Sequence, residues 1–161
     1  MSQFLGSHQN RLDAKGRVSV PAAFRAALRK ADEQGGLILR PSHRHACIEA
    51  WPAAAFAQLA EQLGELPSFS DEEDDLATTL FADSHPVEPD KEGRIMLPEA
   101  LVAHAGLAES VCFMGLGKRF QIWSPEAAEA RRSAARSSAQ MRGFTLPGRP
   151  AVGRGSAGGA S

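Results

Sequence analysis

Polar and apolar residues alternate from Arg17 to Val20, with Val18 and Val20 on one side and Arg17 and Ser19 on the other. That two-residue period predicts a half-buried strand. Residues 5–12 alternate more weakly and end at Asp13, where Lys15-Gly16 supplies turn residues. Residues 5–20 therefore read as a hairpin bent at Asp13 to Gly16, with Gly16 taking a positive φ. Pro21 opens a helix at its first position, where a missing N–H costs nothing, and the helix runs to about Ala31, ahead of Gly35-Gly36. Leu37 to Arg40 and Ala46 to Trp51 predict two strands around a loop containing Pro41. Pro52 starts a second helix, whose Phe56, Leu59, Ala60 and Leu63 recur at i, i+3, i+4 and i+7 before Gly64 and Pro67 end it. Ser70-Asp71-Glu72-Glu73 has the form of a capping box, and Leu76, Leu80 and Phe81 give the following helix a core face. The acidic run thus reads as a solvated helix start and not as a ligand site.

The same order of signals then recurs. A strand reaches Asp90, bends at Lys91-Glu92-Gly93 and continues from Arg94 to Leu97, and Pro98 starts a short helix. Val111 to Leu116 and Arg119 to Trp123 predict a hairpin through Gly115-Leu116-Gly117-Lys118. Ser124 can cap and Pro125 can open a last helix, rich in Ala, Glu and Arg, which fades near Ser138. The recurrence extends to the residues themselves. Asp13-Ala-Lys-Gly-Arg-Val-Ser-Val-Pro21 returns 77 residues later as Asp90-Lys-Glu-Gly-Arg-Ile-Met-Leu-Pro98. Leu37-Ile38-Leu39 answers to Val111-Cys112-Phe113, and Trp51 answers to Trp123. That spacing is too long for a solenoid and suits a duplicated small domain. Each half, at about 60–70 residues, is marginal as an independent fold, so the halves are expected to share a core. A duplicated element with one Arg per copy suggests two-fold recognition of a partner that is itself repetitive, such as nucleic acid.

Composition adjusts this picture. The chain has 161 residues, 43% of them hydrophobic, which suits a globular protein. No apolar run is long enough to span a membrane, and the N-terminal Met-Ser-Gln-Phe-Leu-Gly does not resemble a secretory signal. Cys47 and Cys112 have no Cys-x-x-Cys partners and read as small buried hydrophobes of a reducing compartment. The net charge of −1 argues weakly against nucleic acid, but its distribution does not. Residues 66–90 hold eight acids and no Lys or Arg, whereas residues 131–161 hold six Arg and no acid. From about Gly143 the chain is Gly, Pro, Ser, Ala and Arg, the composition of a mobile basic tail.

The Asp-x-x-x-Arg element, set in Leu-Asp-x-Lys-Gly-Arg-apolar-Ser-apolar-Pro in the first copy, resembles the bacterial MraZ family over about residues 4–130. Phe4-Leu5-Gly6, Gly115-Leu116-Gly117 and Ile122-Trp123 share the resemblance. One copy alone would point only to the wider AbrB-like group. The resemblance implies an α+β fold of two tandem swapped-hairpin, AbrB-like β-barrel half-domains with flanking helices, packed as an internal pseudo-dimer. On that view residues 4–66 are the first repeat, 67–84 an acidic helical connector, 85–138 the second repeat with its C-terminal helix, and 139–161 a basic mobile tail. It also implies a cytoplasmic, nucleoid-associated transcriptional regulator of the division and cell-wall gene cluster. Such a protein binds short G-rich direct repeats in double-stranded DNA upstream of its own gene, as a ring-like homo-oligomer. Arg17 and Arg94 match the family's DNA-contacting Arg, and Lys15 matches its Lys before Gly-Arg. The second copy departs from the first by carrying Glu92 in place of Lys15, with Lys91 one position earlier.

The chemistry of the residues suits that function. A guanidinium fork can donate to both O6 and N7 of guanine in the major groove. Lys15, Arg11 and Lys91 fit phosphate contacts, which position without specifying. Asp13 and Asp90 are expected to accept from turn amides or to hold the Arg in place, with Gly16 and Gly93 making the bend. A single chain offers few contacts, so a ring that repeats the Arg pair would add avidity. Other sites are weak. His43-Arg44-His45-Ala46-Cys47 offers three possible metal ligands on a loop without a fourth, so no metal is expected. Gly115-Leu116-Gly117 lacks the third glycine of a dinucleotide site and reads as a hairpin turn. No nucleophile–base set appears, so neither an enzyme, a cofactor nor a small-molecule substrate is expected. Trp51 and Trp123 read as core or interface anchors. Two other classes remain open: a ring-forming structural or interaction protein, and an antitoxin-like partner-binding module.

Overall fold

Both Asp-x-x-Gly turns form, but the arms they join part company. Strand β1 (Ser7–Arg11) and strand β2 (Arg17–Ser19) share no ladder; they are linked by a bridge between Leu12 and Val18 and by Asn10 Nδ2, which donates to the Ser19 carbonyl at 2.6 Å. Instead β1 pairs antiparallel with β7 (Ser110–Gly115) of the second copy, and β2 pairs with β6 (Arg94–Met96), also of the second copy. The hairpin expected over residues 5–20 is therefore a turn with its two arms in different sheets. The computed structural model describes residues 3–143 and 146–147, and its contacts divide the chain into two compact units, one ending at Ala128 and one beginning at Glu129.

The elements of the first copy continue with α1 (Ala22–Ala31), β3 (Leu37–Pro41), β4 (Ile48–Pro52) and α2 (Ala53–Leu63). Helix α3 (Asp71–Ala77) and a π-helical turn (Thr78–Ala82) follow. The second copy runs β5 (His85–Val87), β6, α4 (Glu99–Ala105), β7, β8 (Phe120–Trp123) and α5 (Pro125–Arg142). One sheet has the order β1-β7-β8-β4-β3-β5, and β2-β6 form a separate ribbon. Exchanging the copies swaps β1 with β5, β3 with β7 and β4 with β8, so the six-stranded order reads the same in either direction. The two copies are thus related by a pseudo-two-fold axis that passes between β4 and β8 and between β2 and β6. Among the described residues no closed barrel is found within either copy. Neither copy closes a sheet of its own, because its first strand hydrogen-bonds to the other copy, and β1 and β5 end the sheet unpaired with each other.

Three helices begin one residue later than expected. Pro21, Pro52 and Pro98 keep the extended ψ of the preceding strand or loop (144°, 141° and 144°) and stand just before the first helical residue. Only Pro125 sits within its helix, where the Ser124 hydroxyl accepts from the Ala127 N–H at 3.3 Å. Ser70 caps α3 in the same way through the Glu73 N–H, at 3.1 Å. Helix α5 continues past Ser138 to Arg142, since Ala139, Gln140, Met141 and Arg142 are good helix formers. Gly143 follows with φ 66°, a common way for a helix to end. The basic tail expected from 139 on therefore starts inside a helix, and most of it lies outside the described residues.

The inner face of the sheet carries one core drawn from both copies. Phe4, Phe24 of α1, Phe113 of β7 and Phe120 of β8 are all fully buried, with ring centroids 5.0–6.3 Å apart. Two motifs far apart in sequence meet here. Phe4 exchanges backbone hydrogen bonds with Gly117, and the Gly115 N–H donates to Gly6 at 2.9 Å. A Cβ on Gly115 would overlap the Phe4 carbonyl, so glycine is required for this approach.

The outer face of the sheet buries a polar network on the pseudo-two-fold axis. Glu49 and Gln121 are equivalent residues, paired across β4 and β8, and Gln121 Nε2 donates to Glu49 Oε2 at 3.3 Å. The equivalent Trp51 and Trp123 each donate to their own strand, to Glu49 Oε1 at 3.4 Å and Gln121 Oε1 at 2.9 Å. Arg40, 2% exposed, donates to Glu49 Oε1 at 3.0 Å and to the Thr79 carbonyl at 3.3 Å. Arg119 lies 3.6 Å from Glu49 Oε2 and over the Trp51 ring. Cys47, Cys112 and Met114 pack beside Trp123 and Ala128, both cysteines buried and outside any disulfide.

Two stability outcomes follow. Phe24→Ala should cost about 3–5 kcal/mol, as other buried Phe truncations do. Because the core is shared, both copies should melt in one calorimetric transition. Glu49→Ala strands the Arg40 charge and should cost a similar about 3–5 kcal/mol, whereas the joint replacement Arg40→Met with Glu49→Gln should recover most of the loss in denaturant titrations.

Candidate nucleic-acid interface

The two turns are near copies of each other at the level of hydrogen bonds. Asp13 Oδ1 accepts from the N–H groups of Lys15 (2.9 Å) and Arg17 (2.8 Å), and Oδ2 accepts from Arg17 Nε (2.9 Å). Asp90 Oδ1 accepts from Glu92 and Arg94 N–H (both 2.9 Å), and Oδ2 from Arg94 Nε (3.0 Å). In each turn the Asp N–H donates to the Arg carbonyl and the Gly N–H to the Asp carbonyl. Gly16 and Gly93 take φ of 86° and 80°, as the sequence requires of them. Each turn also clamps the other copy: Leu97 N–H donates to Gly16, and Val20 N–H donates to Gly93.

Ribbon register decides where the arginines point. Val18 opposes Ile95, both buried against the core. Arg17, opposite Met96, and Arg94, opposite Ser19, therefore share the solvent face. They sit on a diagonal of the antiparallel pair, which sets their Cα atoms about 7–8 Å apart. Each carboxylate fixes its guanidinium by Nε. Neither terminal nitrogen of Arg17 has a hydrogen-bond partner among the described residues, whereas Arg94 Nη2 donates to Glu92 Oε1 at 3.1 Å. Because the strands are antiparallel, exposed Lys15 and Lys91 fall at opposite ends of the ribbon. Arg11 is exposed at the end of β1, in the other sheet.

The surroundings of the turns add two cations that sequence reading did not single out. Helix α1 borders the second turn, and Arg25, Arg29 and Lys91 line the cleft between them. Arg25 Nη1 donates to the Val20 carbonyl at 2.6 Å, and its side chain lies so close to Gly93 that a Cβ there would collide with it. The equivalent cleft at the first turn is bordered by α4 and lined by Lys15, Glu99, Val102 and Ala103. Each cleft thus mixes charges differently: Lys15, Asp13 and Glu99 line the first, while Arg25, Arg29, Lys91, Glu33 and Asp90 line the second. The only sequence signal for this was the i, i+4 spacing of Arg25 and Arg29 immediately after Pro21.

The His43 to Cys47 segment is a tight loop in which Ser42 Oγ accepts from the Arg44 and His45 N–H groups, both at 3.1 Å. His45 lies against the Trp123 ring, and Cys47 is buried.

Both Asp carboxyls are held below their ordinary value of 3.8. The largest cause is the N–H of the Arg four residues on; the Arg side chain and the second turn amide add to it, and desolvation opposes them. Arg94 is held above its ordinary value, first by its bond to Asp90, with Glu92 and Asp13 contributing. A carboxyl depressed on folding adds stability above the unfolded-state value near 3.9, and that stability is lost as pH falls through the lower folded value. In a carboxyl NMR titration both residues should therefore titrate below 3.8, the turns loosening only under more acidic conditions. Arg17→Ala should move Asp13 only part of the way back, because the residue 17 amide still donates.

A family model described as "MraZ protein, putative antitoxin-like" matches residues 3–78 and 80–141. A protein of Gluconacetobacter diazotrophicus, named "Transcriptional regulator MraZ", is 58% identical over 151 residues, covering 92% of this chain and 96% of its own. One of Gluconobacter oxydans with the same name is 60% identical over 142 residues, 87% of each chain. One of Rickettsia akari, again so named, is 38% identical over 146 residues, 91% of this chain and 97% of its own. With both copies of the turn inside the matched residues, the chain belongs to the MraZ family.

Proposed function

We propose that this protein is a sequence-specific DNA-binding transcriptional regulator that reads its site with the outer face of the β2–β6 ribbon. The observation that carries this reading is the pair of matched turns, each fixing an arginine by Nε on one shared face of the ribbon. A two-stranded ribbon fits the major groove, about 12 Å wide, and Arg is suited to guanine O6 and N7 there. The diagonal spacing of the arginines spans roughly two base steps at 3.4 Å each. Met96, half exposed on the same face, can meet a thymine methyl. Lys15, Lys91 and Arg11 flank the ribbon as phosphate contacts. The names of the relatives support a regulatory role.

The finer reading follows from the family resemblance and from contact arithmetic. One chain presents two base-reading arginines, too few for specific binding at physiological salt. Several copies in a ring-like homo-oligomer, each meeting one short G-rich repeat, would supply the rest by avidity. Repeats upstream of the protein's own gene, at the head of a division and cell-wall cluster, are the proposed site, which places the protein in the cytoplasm at the nucleoid. Nothing in this reading calls for catalysis, a cofactor or a small-molecule substrate.

Binding to DNA from upstream of the gene should weaken steeply with salt and depend on the repeats. Arg17→Ala and Arg94→Ala should each weaken it by about 1–3 kcal/mol per ribbon engaged, with elution volumes in size-exclusion chromatography unchanged. Mutants that lose their assembly while the wild type shows no preference over scrambled DNA would favour an assembly protein instead.

A further inference from the structure

Lys15 and Glu92 occupy the same place in the two turns, and each gives its N–H to the turn carboxylate at 2.9 Å. Their side chains make the two reading heads chemically different. Apart from the turn carboxylate that both heads share, the first head presents donors only, from Arg17 and Lys15. Glu92 folds back so that Oε1 accepts from Arg94 Nη2 at 3.1 Å, yet the Glu92 side chain remains 69% exposed. The second head therefore sets an exposed acceptor beside an exposed donor. In the major groove guanine offers the acceptors O6 and N7, while its partner cytosine offers the N4 amino donor. A donor-only head matches guanine. A donor with an adjoining carboxylate matches guanine and a neighbouring cytosine edge together. Repulsion between Glu92 and phosphate is offset locally, since Arg25, Arg29 and Lys91 stand beside this turn.

We infer that Glu92 is a specificity-determining residue: its carboxylate accepts from a cytosine N4 amino group while Arg94 donates to guanine, so the second turn reads a mixed donor–acceptor step and the first reads guanine alone. This rests on the ribbon being the DNA-reading face, and the test separates the two.

The full-length protein is titrated with the duplex from upstream of its own gene and with derivatives in which each base pair of one repeat is changed in turn. Wild type, Glu92→Ala, Glu92→Lys and Arg17→Ala are compared. Wild type should lose roughly 5- to 150-fold at one particular C·G position. In Glu92→Ala the penalty at that position should vanish while those elsewhere persist. Glu92→Lys should also lack it, and should bind every duplex more tightly with a steeper salt dependence. Folding is not at issue, since the side chain is exposed. If Arg17→Ala removes the penalty at one guanine position but Glu92→Ala keeps all of them, this inference falls and the ribbon reading stands. If wild type shows no positional penalty at all, both fall together.

Discussion

The β2–β6 pairing is the contact on which the rest of this molecule depends. Three residues from each copy form it, and it does two things at once. It directs Val18 and Ile95 into the common core, and it brings Arg17 and Arg94 onto one face. The amides that follow each strand, at Val20 and Leu97, donate back to the opposite turn, so neither turn can shift without the other. The same exchange recurs at the sheet edges, where β1 and β5 each extend the other copy's strands. A copy alone would leave its phenylalanines half covered and its arginine on a frayed strand.

Within that frame, the Asp carboxylates act by placement and contribute little binding energy. A surface ion pair of this exposure is screened by solvent and adds little to stability. Its use lies in removing rotamer freedom from a long side chain before any partner arrives. Because the carboxylate holds Nε, the end of the fork suited to a base edge is kept clear. The buried Glu49–Arg40 pair on the far side of the sheet differs in kind: it is costly to disrupt and does not touch the interface.

Legibility in the sequence followed the range of the interactions. The Asp13 and Asp90 turns were readable because every donor and acceptor lies within four residues of the carboxylate, and the positive φ of Gly16 and Gly93 follows from the bend. Helices α1, α2 and α4 were readable from spacing, to within a residue at their prolines. Pairing was not: an alternating strand states that it has two faces but not which strand lies beside it, so the turn at Asp13 reads as joining β1 and β2 in one hairpin. Arg40 and Glu49 were missed for a related reason. Polar residues at alternate strand positions suggest a face in water, and only the Trp51/Trp123 match hinted that this face was covered. Arg25 was overlooked because its contact, Gly93, lies in the other copy.

Fusion of the two copies into one chain has a consequence for what the axis can hold. In a dimer of identical chains a residue on the two-fold meets itself, so a glutamate there would face a glutamate and a glutamine a glutamine. Here Glu49 faces Gln121, and one carboxylate is shared by a neutral amide, one indole and two guanidinium groups. Joining the copies has released each half from self-complementarity. Charge can be placed once instead of twice, and a symmetric scaffold is free to acquire a front and a back.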